Sequence, residues 1–352
     1  MKDKFLSFAP SLFASLVATL ALAVVAGLQA QTYTLQDLGR LPGGSNSFGN
    51  AVSISGQVTG NSNVAGTAHA FLSAPNGGAL TDLGTLPGGI DSFGNAVNAS
   101  GQVAGTSAVA GGPSQASHAF LSGPNGGALT DLGTLPGGFN SFGNAVNATG
   151  QVTGYSEDAG ASVTRAFLSG PNGGSLADLG TLGGTNSRGF AVNASGQVTG
   201  DSQVLGNSAT HAFLSGPNGG LLTDLGTLGG TNSHGLGVNA GGEVVGWSDT
   251  TAGGINHAFL YTLTGGMQDL NNLIDPASGF TLAQANGIND LGQITGVGFN
   301  SFFQIDAFLL TPSIAAVPEP ASWLAGSLAV CALLVGYRRR SVKHISSADE
   351  SA

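Results

Sequence analysis

The sequence predicts an all-β fold made of six four-stranded units of about 46 residues, arranged as the blades of a β-propeller. Three observations lead to it. A motif recurs at near-constant spacing along most of the chain, and each copy holds short β-prone runs separated by turn signals. The composition also suits sheets covered on both faces: of 352 residues 60 are glycine, 41% are hydrophobic and 8% are charged, where about 25% charged is usual in soluble domains.

The recurring motif is Asp-Leu-Gly, beginning at Asp37, Asp82, Asp131, Asp178 and Asp224, with Asp269-Leu270-Asn271 as a looser sixth copy. Successive spacings are 45, 49, 47, 46 and 45 residues, and periods of this length mark repeat architectures. A second marker, His-Ala-Phe-Leu, begins at His69, His118, His211 and His257, with Arg165 and Asp306 in place of His in the third and sixth copies.

Within a copy, Gly94 to Gly105 reads as two β-prone runs around an Asn-x-x-Gly turn, in which Gly101 supplies the positive φ of a tight hairpin. The His-Ala-Phe-Leu run and the Asp-Leu-Gly run complete four strands, the content of one propeller blade. Six such units fill nearly all of the span from Thr32 to Pro312. The repeat domain starts on an Asp-Leu-Gly run and ends on Ala307-Phe308-Leu309-Leu310, so the last unit lacks its fourth strand. Residues Thr32 to Leu38 are expected to supply it and close the ring, which would remove an exposed sheet edge. The rival architecture is an open β-solenoid, which the glycine content also suits.

The ends carry address signals. Lys2 and Lys4 precede an apolar run from Leu12 to Leu28, followed by Gln29-Ala30, the pattern of a secretory signal peptide over residues 1–30. After the repeat domain at 31–312, a linker over 313–320 ends in Pro318-Glu319-Pro320. Residues 321–337 are apolar, and Arg338, Arg339 and Arg340 open a basic tail over 338–352. A helix of that length reaches about 25 Å, the short limit for a membrane span, and the arginines would hold the tail in the cytoplasm.

The Pro-Glu-Pro motif, apolar helix and basic end together resemble the PEP-CTERM sorting signal. That resemblance implies a Gram-negative host, an exosortase as partner, transient membrane anchoring, and co-occurrence with exopolysaccharide export. The repeats resemble the HAF family of extracellular repeats over essentially the whole ectodomain. That family implies an extracellular location and no defined activity.

Several function classes are excluded. Between Thr32 and Pro312 there are 15 acidic and three basic residues, Arg40, Arg165 and Arg188, so the basic surface that nucleic-acid binding needs is missing. Cys331, the one cysteine, lies in the apolar tail, which leaves the repeat domain without disulfides or cysteine zinc sites. No metal or cofactor is expected.

Repeated residues make poor catalysts, because an active site is needed once and a turn six times. The Asp of Asp-Leu-Gly is therefore expected to cap a turn rather than hold calcium, and the His before Ala-Phe to make a structural hydrogen bond. Ser156 to Ser162 resembles the Asp-box turn of sialidase-type propellers but lacks its Trp. The non-repeating acids Asp91, Glu157, Asp158, Asp201, Glu243, Asp249 and Asp275 are scattered without the paired spacing of glycoside hydrolysis.

Departures from the repeat are more informative. At the start of the first hairpin strand the equivalent positions hold Phe48, Phe93, Phe142, Arg188, His234 and Gln284. Three rings followed by three polar groups are candidates for a ligand-facing arc, since sugars stack on aromatic faces and hydrogen-bond to polar side chains. The alternative is plain packing in half the copies. The links between second and third strands also vary, read as Asn61 to Ala68, Thr106 to Ser117, Tyr155 to Thr164, Asp201 to Thr210, Trp247 to Asn256 and Val297 to Ile305. The expected function is a non-catalytic surface module that binds or organises extracellular polysaccharide in a biofilm. A glycan-modifying hydrolase or lyase is the alternative.

Overall fold

The computed structural model describes residues 35–110, 116–251 and 256–312. The signal peptide, the Pro-Glu-Pro motif, the apolar stretch and the arginine cluster lie outside them. No helix among the described residues is long and apolar enough to cross a membrane.

From Arg40 onward the described chain is all-β, with short 3-10 turns. The first sheet holds β1 (Gly44–Val52), β2 (Val58–Val64), β3 (Thr67–Ser73) and β4 (Leu80–Gly84). The second holds β5 (Ser92–Val97), β6 (Val103–Ala108), β7 (Ser117–Ser122) and β8 (Leu129–Asp131), and the third β9 (Asn140–Val146), β10 (Val152–Glu157), β11 (Thr164–Ser169) and β12 (Leu176–Asp178). The fourth is β13 (Gly183–Val192), β14 (Val198–Val204), β15 (Thr210–Ser215) and β16 (Leu222–Asp224). The fifth is β17 (Gly229–Val238), β18 (Val244–Thr250), β19 (His257–Thr262) and β20 (Gly266–Asp269). The sixth has three strands, β21 (Thr281–Ile288), β22 (Ile294–Phe299) and β23 (Ile305–Leu310). Every sheet is an antiparallel meander in chain order.

Local chemistry sets each turn. In the second sheet, Asn98 Oδ1 accepts from the N–H groups of Ser100 and Gln102 at 3.1 and 3.0 Å, and Gly101 takes a φ of +70°. The Pro-Asn-Gly turn between β7 and β8 docks beneath this hairpin, with Asn125 N–H donating to Ser100 O and Gly126 N–H to Gly101 O. These two turn types therefore share one face of the unit, leaving the variable links to emerge from the other.

Sheets stack face to face, and the core lies between them. Phe71, Phe120, Phe167, Phe213 and Phe259, the aromatic residues of the Ala-Phe-Leu runs, are all at most 1% exposed. Each is worth about 1.5–3 kcal/mol of burial. In the repeating pattern, Ala119 and Leu121 of one sheet pack with Val152 and Phe167 of the next. Glycine permits the close approach near the innermost strands: a Cβ on Gly94 would lie 2.3 Å from Thr59 Oγ1 of the preceding sheet.

Polar bonds reinforce the stack. The fourth strands are short, so the Ala119 N–H has no strand partner there and instead donates to Ser141 Oγ of the next sheet at 2.8 Å. Ser141 in turn donates to Gly133 O. Ser92, Ser187 and Ser233 repeat this brace.

Three expectations change. The sixth sheet is three-stranded and no described sheet joins strands from both ends of the chain. Leu35 to Leu38, within a unit that ends at Gly39, form no strand, and Leu35 is 98% exposed. The rest of the expected closing strand, Thr32 to Thr34, lies outside the described residues. The variable links are shorter than the sequence suggested, because each second strand runs on past Asn61, Thr106, Tyr155, Asp201, Trp247 and Val297 before it turns.

Candidate functional site

Phe48, Phe93, Phe142, Arg188, His234 and Gln284 occupy one structural position, on the first strand of each sheet. Their partners across the hairpin are Asn61, Thr106, Tyr155, Asp201, Trp247 and Val297 in turn. The looser sequence match at Gln284 is thus a true register equivalent. The first strands also pack against one another from sheet to sheet, which places these pairs along one strip. Each partner directly follows a glycine that all six copies keep, Gly60 through Gly296. That spacing could have put the partners on the strand.

The strip differs from sheet to sheet. Phe48 and Phe93 are exposed, at 55% and 41%. Phe142 stacks on Tyr155, with ring centroids 4.8 Å apart and planes at 27°. On the fourth sheet Arg188 grips Asp201 through Nε and Nη2, at 3.2 and 3.0 Å. On the fifth, His234 stacks on Trp247 at 4.1 Å and 22°, while its Nδ1 lies 2.7 Å from Asp201 Oδ2. Gln284 donates to Asn286 within its own strand.

Asp201 is the centre of this arrangement. Its side chain is 3% exposed, and a buried carboxylate is tolerated only when paired. Arg188 supplies the opposing charge yet stays 45% exposed, and its guanidinium carbon sits 5.6 Å from the centroid of Phe190. Burial pushes the Tyr155 phenol above its ordinary value, with Glu157 adding to the rise and Arg188 opposing it. Two stacked ring pairs on sheets three and five therefore accompany a fixed, partly exposed guanidinium on sheet four. Such a surface offers apolar faces for flat ligands and a positioned donor to orient them.

The other singled-out residues hold the scaffold. Asp82, Asp131 and Asp224 each accept from the N–H of the glycine two residues on, at 2.7 to 2.8 Å. Each also meets the His of its own sheet: His69, His118 and His211 place Nδ1 2.9 Å from these carboxylates, and His257 lies 2.6 Å from Asp269. This His–Asp pairing joins the two sequence markers and was not read from either alone. Arg165 instead donates to Thr185 O, and Asp306 accepts from Asn300. Among the scattered acids, Asp91 accepts from Ala68 N–H, Asp249 from Asn232, Asp275 from Ala277 N–H and Glu243 from Asn239. Asp158 holds the Asp-box-like turn through Ser162.

Among the described residues no group of three or more His, Cys, Asp or Glu side chains is placed to hold a metal ion. The fifth sheet also borders an open depression of about 570 Å³, walled in part by His257, Asp269, Met267 and Leu273 and by none of the six strip positions.

No protein-family model and no curated protein matches the chain. Solved structures do. A puromycin-hydrolyzing peptidase of Mycobacterium tuberculosis aligns with a TM-score of 0.50 at 13% identity, over 77% of this chain and 44% of its own. The β-propeller domain of the Trilobed protease from Pyrococcus furiosus, described as having an open velcro topology, aligns at 0.49 and 7% identity over 77% and 82%. TolB from Acinetobacter baumannii aligns at 0.42 and 13% over 63% and 53%, so this chain spans about half the length of that relative. At these identities the likeness speaks to fold alone, an array of stacked antiparallel sheets.

Proposed function

We propose that the protein is an exported, non-catalytic binding module of the cell surface or extracellular matrix, which holds polysaccharide along the strip of first-strand positions. One observation carries this reading: the residues that depart from the repeat are register equivalents on a common strip. On sheets three to five they combine into two stacked ring pairs and a fixed Arg188–Asp201–His234 group. A scaffold that keeps its turn and core residues and varies one strip has the form of a binding surface carried on a rigid frame.

The address part of the proposal rests on the chain ends. The signal over 1–30 would direct export, an exosortase would act at Pro318-Glu319-Pro320, and Arg338 to Arg340 would mark the cytoplasmic end of a transient membrane anchor in a Gram-negative bacterium. The alternative, a glycan-modifying hydrolase or lyase, would need carboxylates free to exchange protons with substrate. Asp201 on the strip is already engaged by Arg188 and His234.

A glycan array probed with the purified protein tests the binding reading. Retention of a polysaccharide class by the wild type, and its loss in both Arg188→Ala and Trp247→Ala, is the expected result. Equal retention by all three proteins would remove the strip as the site, and release of shortened glycan would favour the enzyme.

A further inference from the structure

Every internal interface joins an outgoing face of one sheet to an incoming face of the next. The outgoing face presents the residue before the kept glycine of the second strand, with the Ala and Leu of the Ala-Phe-Leu strand. The incoming face presents a glycine and a valine of the first strand, the first valine of the second strand and the Phe of the third, with Ala285, Ile288 and Ile294 in the corresponding places on the sixth sheet. Threonine sits on glycine in this contact: a Cβ on Gly94, Gly189 or Gly235 would lie 2.3, 2.4 or 2.2 Å from Oγ1 of Thr59, Thr153 or Thr199.

The first-strand part of one more incoming face and a whole outgoing face lie uncovered among the described residues, while Phe71, the incoming face's aromatic residue on the first sheet, is itself buried. On the sixth sheet the outgoing set is Thr295, Ala307 and Leu309, all exposed, with Leu309 at 66% where Leu72, Leu121 and Leu168 are at 2%. On the first sheet the incoming set is Gly49, Val52 and Val58. Val52 is 66% exposed, and a Cβ on Gly49 would meet only Val58 of its own hairpin. The packing that joins consecutive first strands runs from β1 through to β21, and none of that extent joins β21 to β1.

We propose that the outgoing face of the sixth sheet seats on the incoming face of the first sheet of a second copy of this chain, with Thr295 on Gly49 as Thr59 sits on Gly94. The occupant follows from the internal interfaces, three of which seat threonine on glycine in this register, with Ala104 and Val245 taking the threonine's place in the other two. The six face residues are uncharged, so the contact proceeds despite the chain's formal charge of −10. A heterologous contact of this kind leaves one face of each kind open at the two ends, so association continues head to tail. For a matrix protein this would display the binding strip many times over.

The test uses the full chain in mild detergent, followed by sedimentation velocity over a wide range of concentration. The wild type is expected to grow in mass with concentration, and Gly49→Trp and Leu309→Asp, each blocking one face, to remain single chains. Mixed in equal amounts, the two variants should form a dimer and stop there, because each brings one intact face. Should a blocking variant fail to fold, Gly49→Cys and Thr295→Cys chains in a Cys331→Ser background are mixed instead, and an interchain disulfide is expected. A wild type of constant single-chain mass overturns the proposal. So does an intrachain disulfide in dilute Gly49→Cys/Thr295→Cys protein, which would mean that the chain closes on itself.

Discussion

The side-chain amide of Asn147 donates to the backbone oxygen of Asn193 in the next sheet at 3.1 Å, while its own carbonyl oxygen accepts from Gln151 N–H at 3.0 Å and closes its hairpin. The same double role falls to Asn98, Asn193 and Asn239, which donate to Asn147, Asn239 and Asn289. A single residue type thus sets the turn and fastens it to the following sheet.

Asn147→Ala should lower unfolding stability by about 1–3 kcal/mol, since it strands the buried Gln151 N–H as well as losing the bond between sheets. Urea unfolding followed by circular dichroism measures it. An unchanged midpoint would mean that the ladder contributes nothing.

Phe213→Ala should cost about 3–5 kcal/mol, the usual range for emptying a fully buried aromatic site. Phe308, its half-buried counterpart on the sixth sheet, should cost clearly less when replaced in the same way. Equal losses, by thermal and urea unfolding of both variants, would show that Phe308 contributes as much to its interface with the fifth sheet as Phe213 does to its own.

Hydrogen bonds from the Ser162 hydroxyl and then the Val163 N–H hold the Asp158 carboxyl below its ordinary value. A lowered folded value means that the turn's contribution is fully present above the unfolded carboxylate pKa of about 4 and fades as pH falls through the folded one. Carbon-detected NMR titration of the Asp158 carboxyl should give a midpoint below that of an unstructured aspartate, and Ser162→Ala should move it upward. A midpoint unmoved by Ser162→Ala would assign the shift elsewhere.

Because Tyr155 and Trp247 belong to strands and not to links, replacing residues 158–163 with a Gly/Ser segment of equal length should leave glycan retention intact. Tyr155→Ala and Trp247→Ala should each weaken it by about tenfold or more, as losing a central aromatic contact does. Isothermal titration with the polysaccharide identified on the array compares them. Loss of binding on loop replacement alone would move the site to the links.

Periodicity is what the sequence by itself determined. Near-constant spacing of Asp-Leu-Gly and Ala-Phe-Leu, kept glycines at the hairpin turns and a low charge content were enough for six repeated antiparallel units, because turn chemistry and burial on both faces are local demands repeated in every copy. The equivalence of Phe48, Phe93, Phe142, Arg188, His234 and Gln284 was legible for the same reason. Tertiary structure decided everything that depends on which residue meets which across a gap in the chain. Asp201 could not be joined to His234 from spacing, since His234 comes from the next sheet, whereas its pairing with Arg188 across the hairpin follows the kept Gly200. Nor could spacing show whether the ends of the array meet. That depends on the small rotation between consecutive sheets, accumulated over six of them, which no single repeat encodes.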